Sequence, residues 1–324
     1  MTIDPDPAQL LAELGLSDDR DTVAARPLTG GWSGSRLWHV ALPGRPPLVL
    51  RAFPGSTDAA PRREAAIHAL VRGFGIPAPA VEAVGAVSNG AAMAIALMPG
   101  LSLARALLGT PHPPTAHALG IAAGAMLARI HAIPGPAIME AGLGPGGKAD
   151  PGDWLAWLDP GPRVRRLLAP WTASQADADT RLLHLDFHPE NLLADPGSAT
   201  ITAVLDWTNA RIGPPVADLA RTRSILRLVA TIPGLPPGSG PVIAAFERGV
   251  LAGYADRHGA PDPAMLLAFD AWALEIQVTD LAPKLAMPGT WVTESTLAGL
   301  RAARDDAILR AERAATTTTT TTKR

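Results

Sequence analysis

The chain has 324 residues, of which 47% are hydrophobic, so it is long enough to bury the core of one large domain or of a two-lobed unit. Its 28 basic and 30 acidic side chains leave a formal net charge of -2, which excludes the broad positive field that holds nucleic acid or an anionic membrane. Cysteine is absent, the first residues are acidic and no unbroken apolar run reaches membrane-spanning length, so we expect a cytoplasmic protein without disulfides, thiolate metal sites or a membrane span.

The first part of the chain, residues 1–98, has the pattern of a small β-rich lobe. Runs of strand length lie on either side of the Pro43-Gly44 turn, and a helical segment follows that begins at Pro61 and ends near Gly73. Pro99-Gly100 is a natural hinge after this lobe. We therefore predict a helix at 61–72 and strands at 37–42, 47–53, 81–87 and 91–98.

Residues 99–315 are predicted to form a second, larger and mostly helical lobe, because apolar residues recur there at helical spacing. Two short apolar runs of strand length, at 181–185 and 199–205, interrupt the helices. The threonine-rich end, 316–324, has low complexity and is predicted to be a disordered tail. The predicted helices lie near 101–108, 115–132, 151–158, 216–230, 241–257, 263–281 and 294–314.

Polar groups suited to a metal ion lie around the loop between those two strand-like runs. Asp186 and Asn191 are five residues apart, and Pro189 between them disfavours a regular helix, so both side chains can project from one loop. Asp206 follows the second run, where it can face that loop. These oxygens suit magnesium, and a carboxylate can also align an attacking hydroxyl and accept its proton in phosphoryl transfer. Each residue alone is better explained as a turn former or a cap, but their joint spacing favours a phosphoryl-transfer site.

Three motifs then follow in register. Residues 183–193 read LHLDFHPENLL, 204–207 read VLDW and 213–220 read GPPVADLA. They resemble the His-x-Asp-x-x-x-x-Asn loop, the Ile/Leu-Asp-Trp element and the Gly-x-Pro-x-x-Asp-Leu-Ala element of the aminoglycoside phosphotransferase and choline kinase-like superfamily. The resemblance implies an α+β, protein kinase-like two-lobed fold with a small β-rich N-lobe and a larger, mostly helical C-lobe. It covers most of the chain, although its specific motifs lie mainly in residues 183–220.

The resemblance also implies a role for each matching residue. Asp186 would be the catalytic base, Asn191 and Asp206 would bind Mg²⁺, and His184 and Asp218 would brace the catalytic loop. His184 could equally be a satisfied core histidine, because both interpretations predict that it is buried.

Nucleotide-binding residues are expected in the N-lobe. The glycine-rich segment 29–34 lies where the family has its phosphate-covering loop, although alone it would be read as a plain hairpin turn. Leu97 and Met98 lie where the family joins its lobes and are candidates for an adenine pocket, with the backbone as the preferred contact. The candidate phosphate contacts in the glycine-rich segment are Gly30, Gly31, Ser33 and Gly34.

A kinase-like site also needs a cation on its third strand to hold the phosphates. No lysine precedes Lys148, so Arg51 is the candidate, and a guanidinium can hold phosphate through two hydrogen bonds. Glu64 is the only acidic residue of the helix that follows, and we predict that it pairs with Arg51. The alternative for Glu64 is a local pair with His68 or a solvated position.

Together these inferences predict an ATP- and Mg²⁺-dependent phosphotransferase that moves the γ-phosphate to a hydroxyl of a small molecule, either an aminoglycoside-like antibiotic or a metabolite. Only eleven residues separate Asp206 from Asp218, too few for the activation segment of a protein kinase. Asp270, Trp272 and Glu275 could bind an amine of the acceptor, but one packed and one solvated helix face explain them better. The alternative function is a catalytically weak, nucleotide-binding regulatory module. The acceptor, and the choice between ATP and GTP, stay open.

Overall fold

A computed structural model describes residues 5–18, 23–28, 35–109, 112–143, 160–172, 180–232, 234–287 and 290–321. The helices are α1 (Pro7–Glu13), α2 (Ala59–Gly73), α3 (Leu103–Gly109), α4 (Pro113–Ile130), α5 (Gly135–Glu140), α6 (Pro162–Thr172), α7 (Pro215–Val229), α8 (Ser239–His258), α9 (Pro263–Leu281) and α10 (Glu294–Thr321), with 3-10 turns at Pro189–Asn191 and Ala282–Ala286. The strands are β1 (Ala24–Pro27), β2 (Arg36–Ala41), β3 (Leu48–Pro54), β4 (Val81–Val87), β5 (Gly90–Ala96), β6 (Leu101–Ser102), β7 (Arg181–Leu183), β8 (Leu192–Asp195), β9 (Thr200–Val204) and β10 (Arg211–Gly213). Among the helices so described, none is long and apolar enough to cross a membrane.

The chain divides into two compact units, Met1–Gly100 with Thr202–Thr208 and Leu101–Ile201 with Asn209–Arg324. The first unit is built on an antiparallel five-stranded sheet of order β1-β2-β3-β5-β4. Successive side chains of a strand point to opposite faces, so Arg51 points away from the core that its neighbours on β3 enter. The core on that other face contains Leu10, Leu11, Trp38, Val40, Leu48, Leu50 and Ala52.

A short return segment completes the first unit. The N–H of Val204 donates to the Pro77 carbonyl at 2.8 Å, and the hydroxyl of Thr202 donates to the Pro99 carbonyl at 2.6 Å. These bonds hold the end of β9 and bring Asp206 into the same unit as β3 and α2.

The second unit is mostly helical. Its core is formed by α6, α7, α9 and α10 around the fully buried side chains of Phe269 and Trp272. β7 pairs antiparallel with β10, and β8 pairs antiparallel with β6. The segment between β7 and β8 carries the predicted catalytic loop.

Helices α4 and α8 pack through glycines at backbone distance. A Cβ atom on Gly120 or Gly124 of α4, or on Gly249 or Gly253 of α8, would lie within 3.0 Å of a backbone atom of the opposite helix. Only glycine permits so close an approach without displacing a helix. This contact fixes α4 and α8 against each other.

The predicted fold class is confirmed: the first unit contains the antiparallel sheet, and the second is mostly helical. The predicted strands at 37–42 and 47–53 lie within one residue of β2 and β3, and the helix at 263–281 coincides with α9. The predicted helix at 151–158 lies outside the described residues. α10 continues to Thr321, into the run predicted to be disordered, since a formed helix extends by one hydrogen bond per added residue.

Candidate functional site

The loop after β7 has a strained backbone that a buried carboxylate holds in place. Leu185 has φ of 60°, which is unfavourable for a residue with a side chain. The fully buried Asp218 of α7 accepts from the N–H of His184 at 2.6 Å and from the N–H of Leu185 at 2.9 Å. The two predicted bracing residues therefore meet immediately before Asp186.

The carboxylate of Asp186 is held from within the loop. The side-chain amide of Asn191 donates to the Asp186 backbone carbonyl at 2.9 Å and to its Oδ2 at 3.0 Å. Both bonds are made by the NH₂ group of the Asn191 side chain, so its Oδ1 is available as an oxygen ligand for a cation. The side chain of Asp186 is 27% exposed and can receive a hydrogen bond from a bound hydroxyl.

The surroundings of Asp186 favour its charged form. Burial raises the pKa of this carboxyl, but the hydrogen bond and charge of His188, together with His184 and Arg221, outweigh burial and lower the pKa to about 2. Nε2 of His188 lies 3.5 Å from Oδ1 of Asp186. The sequence alone suggests only a turn residue at His188. The contact with Asp186 could be seen only once the loop conformation was known.

The contacts of His184 agree with both interpretations that the sequence leaves open, core packing and support of the loop. Its ring is fully buried against the edge of Phe187, as a core histidine would be. Its Nδ1 also accepts from the backbone N–H of Asp186 at 3.3 Å. The ring therefore packs in the core and supports the loop at the same time.

Arg51 and Glu64 form a buried ion pair in the first unit. Nη1 of Arg51 on β3 donates to Oε1 and Oε2 of Glu64 on α2, at 3.1 and 3.3 Å. The guanidinium also lies 4.7 Å from the ring centroid of Phe53, and its Nε donates to the Ser35 hydroxyl at 3.2 Å. These contacts orient the cation that is predicted to bind phosphate.

Glu64 has further partners on other elements. Burial raises the pKa of Glu64, but His68 and Arg51 lower it more, so the carboxylate stays charged. Nε2 of His68 lies 3.8 Å from Glu64, and the Thr208 hydroxyl donates to it at 2.8 Å. The local contact with His68 therefore exists beside the pair with Arg51.

Asp206 belongs to the same cluster. Its Oδ1 lies 3.5 Å from Nη1 of Arg51 and 2.7 Å from the Thr208 hydroxyl. Its φ of 56° places it, like Leu185, in the left-handed region that side chains disfavour. Thr208 was not predicted, because a threonine two residues after an aspartate carries no distinctive sequence signal.

The remaining nucleotide candidates are four residues of the glycine-rich segment and two residues after β5. Gly30, Gly31, Ser33 and Gly34 lie outside the described residues, so their role stays a prediction. Leu97 is 41% exposed, and its N–H donates to the Pro47 carbonyl at 3.2 Å, so that N–H is already used. Met98 follows Leu97 in the segment after β5 and is half-buried.

Most of the late carboxylates have structural partners. Asp270 pairs with Arg223 at 3.0 Å, and Glu275 accepts from the N–H of Gly161 at 3.1 Å. Trp272 is fully buried, so it packs in the core and offers no open ring face to an amine. The packing part of the prediction is therefore confirmed, but the solvated face is not found at these positions, because Asp270 is 5% exposed and is buried with its arginine partner.

Asp280 differs from them because its side chain is 37% exposed. It pairs with Arg221 at 3.3 Å. Burial raises the pKa of Asp280, and the charge of Asp186 raises it further, whereas Arg221 opposes the rise. Asp280 is therefore close enough to the catalytic loop to interact with its carboxylate.

A self-contained metal site is absent from the part of the chain that the structure describes, since no three His, Cys, Asp or Glu side chains there form a ligand group. The proposed ligands, one carboxylate of Asp206 and one amide oxygen of Asn191, are nevertheless hard oxygen donors. Mg²⁺ is commonly bound through one or two protein groups plus water and substrate phosphates. The donor chemistry therefore fits magnesium delivered with a nucleotide.

Comparison with solved structures shows the same fold. A protein from Ralstonia eutropha, described as a candidate aminoglycoside phosphotransferase, has a TM-score of 0.65 at 17% identity, over 95% of this chain and 98% of that chain. Macrolide 2'-phosphotransferase MphH from Brachybacterium faecium has a TM-score of 0.52 at 21% identity, over 91% and 96% of the two chains. APH(2")-IIIa, in complex with GDP and kanamycin, has a TM-score of 0.59 at 16% identity, over 92% and 98%.

No curated protein matches the chain significantly. The model of the phosphotransferase enzyme family matches residues 24–268, which is well over half of the chain and includes both units. This match confirms the predicted resemblance and the class of small-molecule kinase. The chain belongs to the phosphotransferase enzyme family.

Proposed function

We propose that this protein transfers the γ-phosphate of ATP to a hydroxyl of a small acceptor, with Asp186 as the catalytic base. Family membership supports the reaction class. The observation that carries the residue assignment is the state of Asp186: its carboxylate is oriented by the Asn191 amide, partly exposed, and strongly biased to its charged form. An ionised carboxylate held in this way is suited to accept a hydrogen bond from an attacking hydroxyl.

A pKa of about 2 determines how Asp186 would act. The carboxylate is charged throughout the neutral range, so it aligns the acceptor hydroxyl but is a weak base in the ground state. The hydroxyl oxygen forms its bond to the γ-phosphorus while the bond from phosphorus to the bridging oxygen of ADP breaks. The attacking hydroxyl becomes acidic as its oxygen bonds to phosphorus, and late in this step its proton passes to Asp186.

Arg51 is the proposed cation for the nucleotide phosphates. Glu64 holds its guanidinium from one side, and the ring of Phe53 supports it. A planar guanidinium fixed in this way can offer paired donors to phosphate oxygens. It would take the place of a lysine on the third strand, because no lysine precedes Lys148. The four candidates in the glycine-rich segment would add backbone contacts.

Asp206 and Asn191 are the proposed protein ligands for Mg²⁺. When bound, the ion would neutralise charge on the phosphates as the γ-phosphoryl group is transferred. The contribution of Asp206 is a carboxylate whose position is set by Arg51 and Thr208, and that of Asn191 is the amide oxygen left by its two bonds to Asp186.

The acceptor class follows from similarity only in outline. The solved relatives include proteins described as acting on macrolides or binding kanamycin, so hydroxyl-rich antibiotics and sugar-like metabolites are the first candidates. Asp280 is the exposed carboxylate near the catalytic loop that could receive an amine of such a molecule.

The test is Mg²⁺-dependent release of ADP from ATP, or of GDP from GTP, with a panel of aminoglycosides, macrolides, choline, homoserine and sugars. A phosphorylated acceptor, identified by mass spectrometry, is the expected product. Asp186→Asn should lower kcat by about a hundred- to ten-thousand-fold without comparable loss of ATP affinity. Asp195→Asn is the matched control, because Asp195 is exposed and, among the described residues, its side chain bonds within its own turn, to Gly197 at 3.0 Å and Ser198 at 2.8 Å.

Two outcomes would contradict the proposal. Tight ATP binding without turnover on any acceptor would favour the regulatory module of the same fold. Full activity in Asp186→Asn would leave the reaction class intact and remove Asp186 as the base.

A further inference from the structure

A chain of buried hydrogen bonds continues behind the catalytic loop. The hydroxyl of Tyr254 on α8 lies 2.9 Å from Nδ1 of His131, the residue that follows α4. Nε2 of His131 lies 3.1 Å from Oδ2 of Asp218. Tyr254 is 3% exposed, and His131 and Asp218 are fully buried, so water does not compete for these bonds.

The groups involved fix the direction of the bond to Asp218. A carboxylate oxygen accepts, so Nε2 of His131 carries a hydrogen and donates to Asp218. The second bond joins Nδ1 of His131 to the Tyr254 hydroxyl, a group that can both donate and accept. Burial and the charge of Asp218 raise the pKa of Tyr254, so the phenol keeps its proton.

The far end of this chain controls a strained backbone. Asp218 holds the N–H groups of His184 and Leu185, and the left-handed conformation of Leu185 is unfavourable for a residue with a side chain. Asp186 is the next residue. A small rotation of the Asp218 carboxylate would therefore change the direction of the catalytic side chain.

The backbone of Tyr254 is itself fixed. Gly124 of α4 packs so closely that a Cβ atom there would lie within 3.0 Å of the Tyr254 nitrogen and the Val250 carbonyl oxygen. The ring of Tyr254 also stacks on His258, with ring centroids 5.1 Å apart and planes inclined by 26°. The hydroxyl therefore reaches His131 from a position that cannot easily shift.

We propose that Tyr254 is a positioning residue for the catalytic loop, acting on Asp186 through His131 and Asp218. The role rests on the proposed function, because it matters to catalysis only if Asp186 is the base. Its structural part, the coupling of the tyrosine hydroxyl to the loop backbone, stands apart from any activity.

The first experiment compares the full-length protein with Tyr254→Phe, which keeps the ring and removes the hydroxyl. Hydrogen exchange of the peptide containing residues 183–187 should be faster in this variant, while exchange of β3 stays unchanged. We expect kcat to fall about three- to tenfold, the range for loss of one buried hydrogen bond, with little change in KM for ATP. His258→Ala is the matched control, since it removes a ring that packs on both Tyr254 and His131 but takes away none of the hydrogen-bonding atoms of the chain.

The outcomes separate the two proposals. Unchanged exchange and unchanged kcat in a folded Tyr254→Phe variant would overturn the positioning role. Faster exchange in a protein that phosphorylates no acceptor would support the coupling and contradict the proposed function. Equal effects of Tyr254→Phe and His258→Ala would assign the effect to ring packing and overturn the role of the hydroxyl.

A second measurement uses the unchanged protein, in case Tyr254→Phe does not fold. Tyr254 is the only tyrosine of the chain, so ultraviolet difference absorption follows this one phenol. We expect it to resist ionisation well above its ordinary pKa of 10, until the protein unfolds. A phenol that titrates near 10 in the folded protein would show that the buried chain does not exist in solution.

Discussion

Replacing Arg51 with methionine removes the cation from a buried ion pair and keeps a side chain of similar length. Glu64, whose side chain is 2% exposed, would retain the Thr208 hydroxyl at 2.8 Å and His68 at 3.8 Å. Removing one partner of a buried pair typically lowers the free energy of unfolding by about 3–5 kcal/mol. Because Glu64 keeps two other contacts, we expect a loss near the lower limit, about 3 kcal/mol.

The loss should depend on pH, because it comes from the charge of Glu64. The pKa of Glu64 lies below its ordinary value of 4.5: burial raises it, but His68 and Arg51 lower it more. A carboxyl with a lowered pKa contributes stability that is present above the ordinary value and is lost as pH falls through the folded value. The deficit of Arg51→Met should therefore be largest at neutral pH and shrink below pH 4.5, where a protonated Glu64 needs no cation.

Urea unfolding, followed by tryptophan fluorescence at neutral and acidic pH, measures this deficit. Arg62→Met is the matched control, because Arg62 forms a mostly exposed ion pair with Asp58 at the start of the same helix. Loss of such a pair changes stability by less than about 1 kcal/mol. If Arg51→Met costs no more than Arg62→Met, or if its deficit is the same at both pH values, the buried charge pair is not what stabilises this unit.

Three further predictions concern packing, electrostatics and the Thr208 hydroxyl. Gly124→Ala should lower the free energy of unfolding, measured by urea denaturation, by at least about 1–3 kcal/mol, because its Cβ would meet the backbone of α8. Gly240→Ala is the control and should not lower it, because the space around Gly240 is open. His188→Ala should move the acid limb of the pH profile of kcat/KM upward, because it removes the largest contribution that lowers the pKa of Asp186; an unmoved limb would contradict this. Thr208→Val should lower the free energy of unfolding by about 1 kcal/mol, and equal denaturation midpoints would show that its two short contacts contribute nothing.

The parts of the fold that could be predicted have local causes. Alternation of apolar residues along β3 predicts one core face and, at Arg51, one polar position on the other. α9 begins at Pro263 after Asp262, whose side chain accepts from the N–H of Met265 at 2.8 Å, so the pair of capping aspartate and first-turn proline predicts where the helix begins. The spacing of Asp186 and Asn191 likewise predicts their contact, because five residues of loop cannot carry them far apart.

The unpredicted residues have partners far away in the chain. His131 lies 87 residues from Asp218 and 123 from Tyr254, and no periodicity links the three. β1 and β8 have only four residues each, too few for a strand pattern, and become strands through pairing with their neighbours. Thr208 was missed for the same reason, since the contact that distinguishes it joins it to Glu64, 144 residues away.

The described residues include three non-glycine residues with left-handed backbone, and two of them, Leu185 and Asp206, lie beside or at a proposed functional group; the third is Ala199. Such a conformation persists only where other contacts stabilise it, and different contacts do so at these two residues. At Leu185 it is the buried carboxylate of Asp218, which binds two successive N–H groups. At Asp206 the side chain contacts Arg51 and Thr208, which themselves bind the buried Glu64. In both units, then, a buried carboxylate that takes no part in the proposed chemistry fixes the direction of a partly exposed carboxylate that does. Variants of Asp218 and Glu64 should therefore lower kcat, although neither carboxylate is proposed to contact the acceptor.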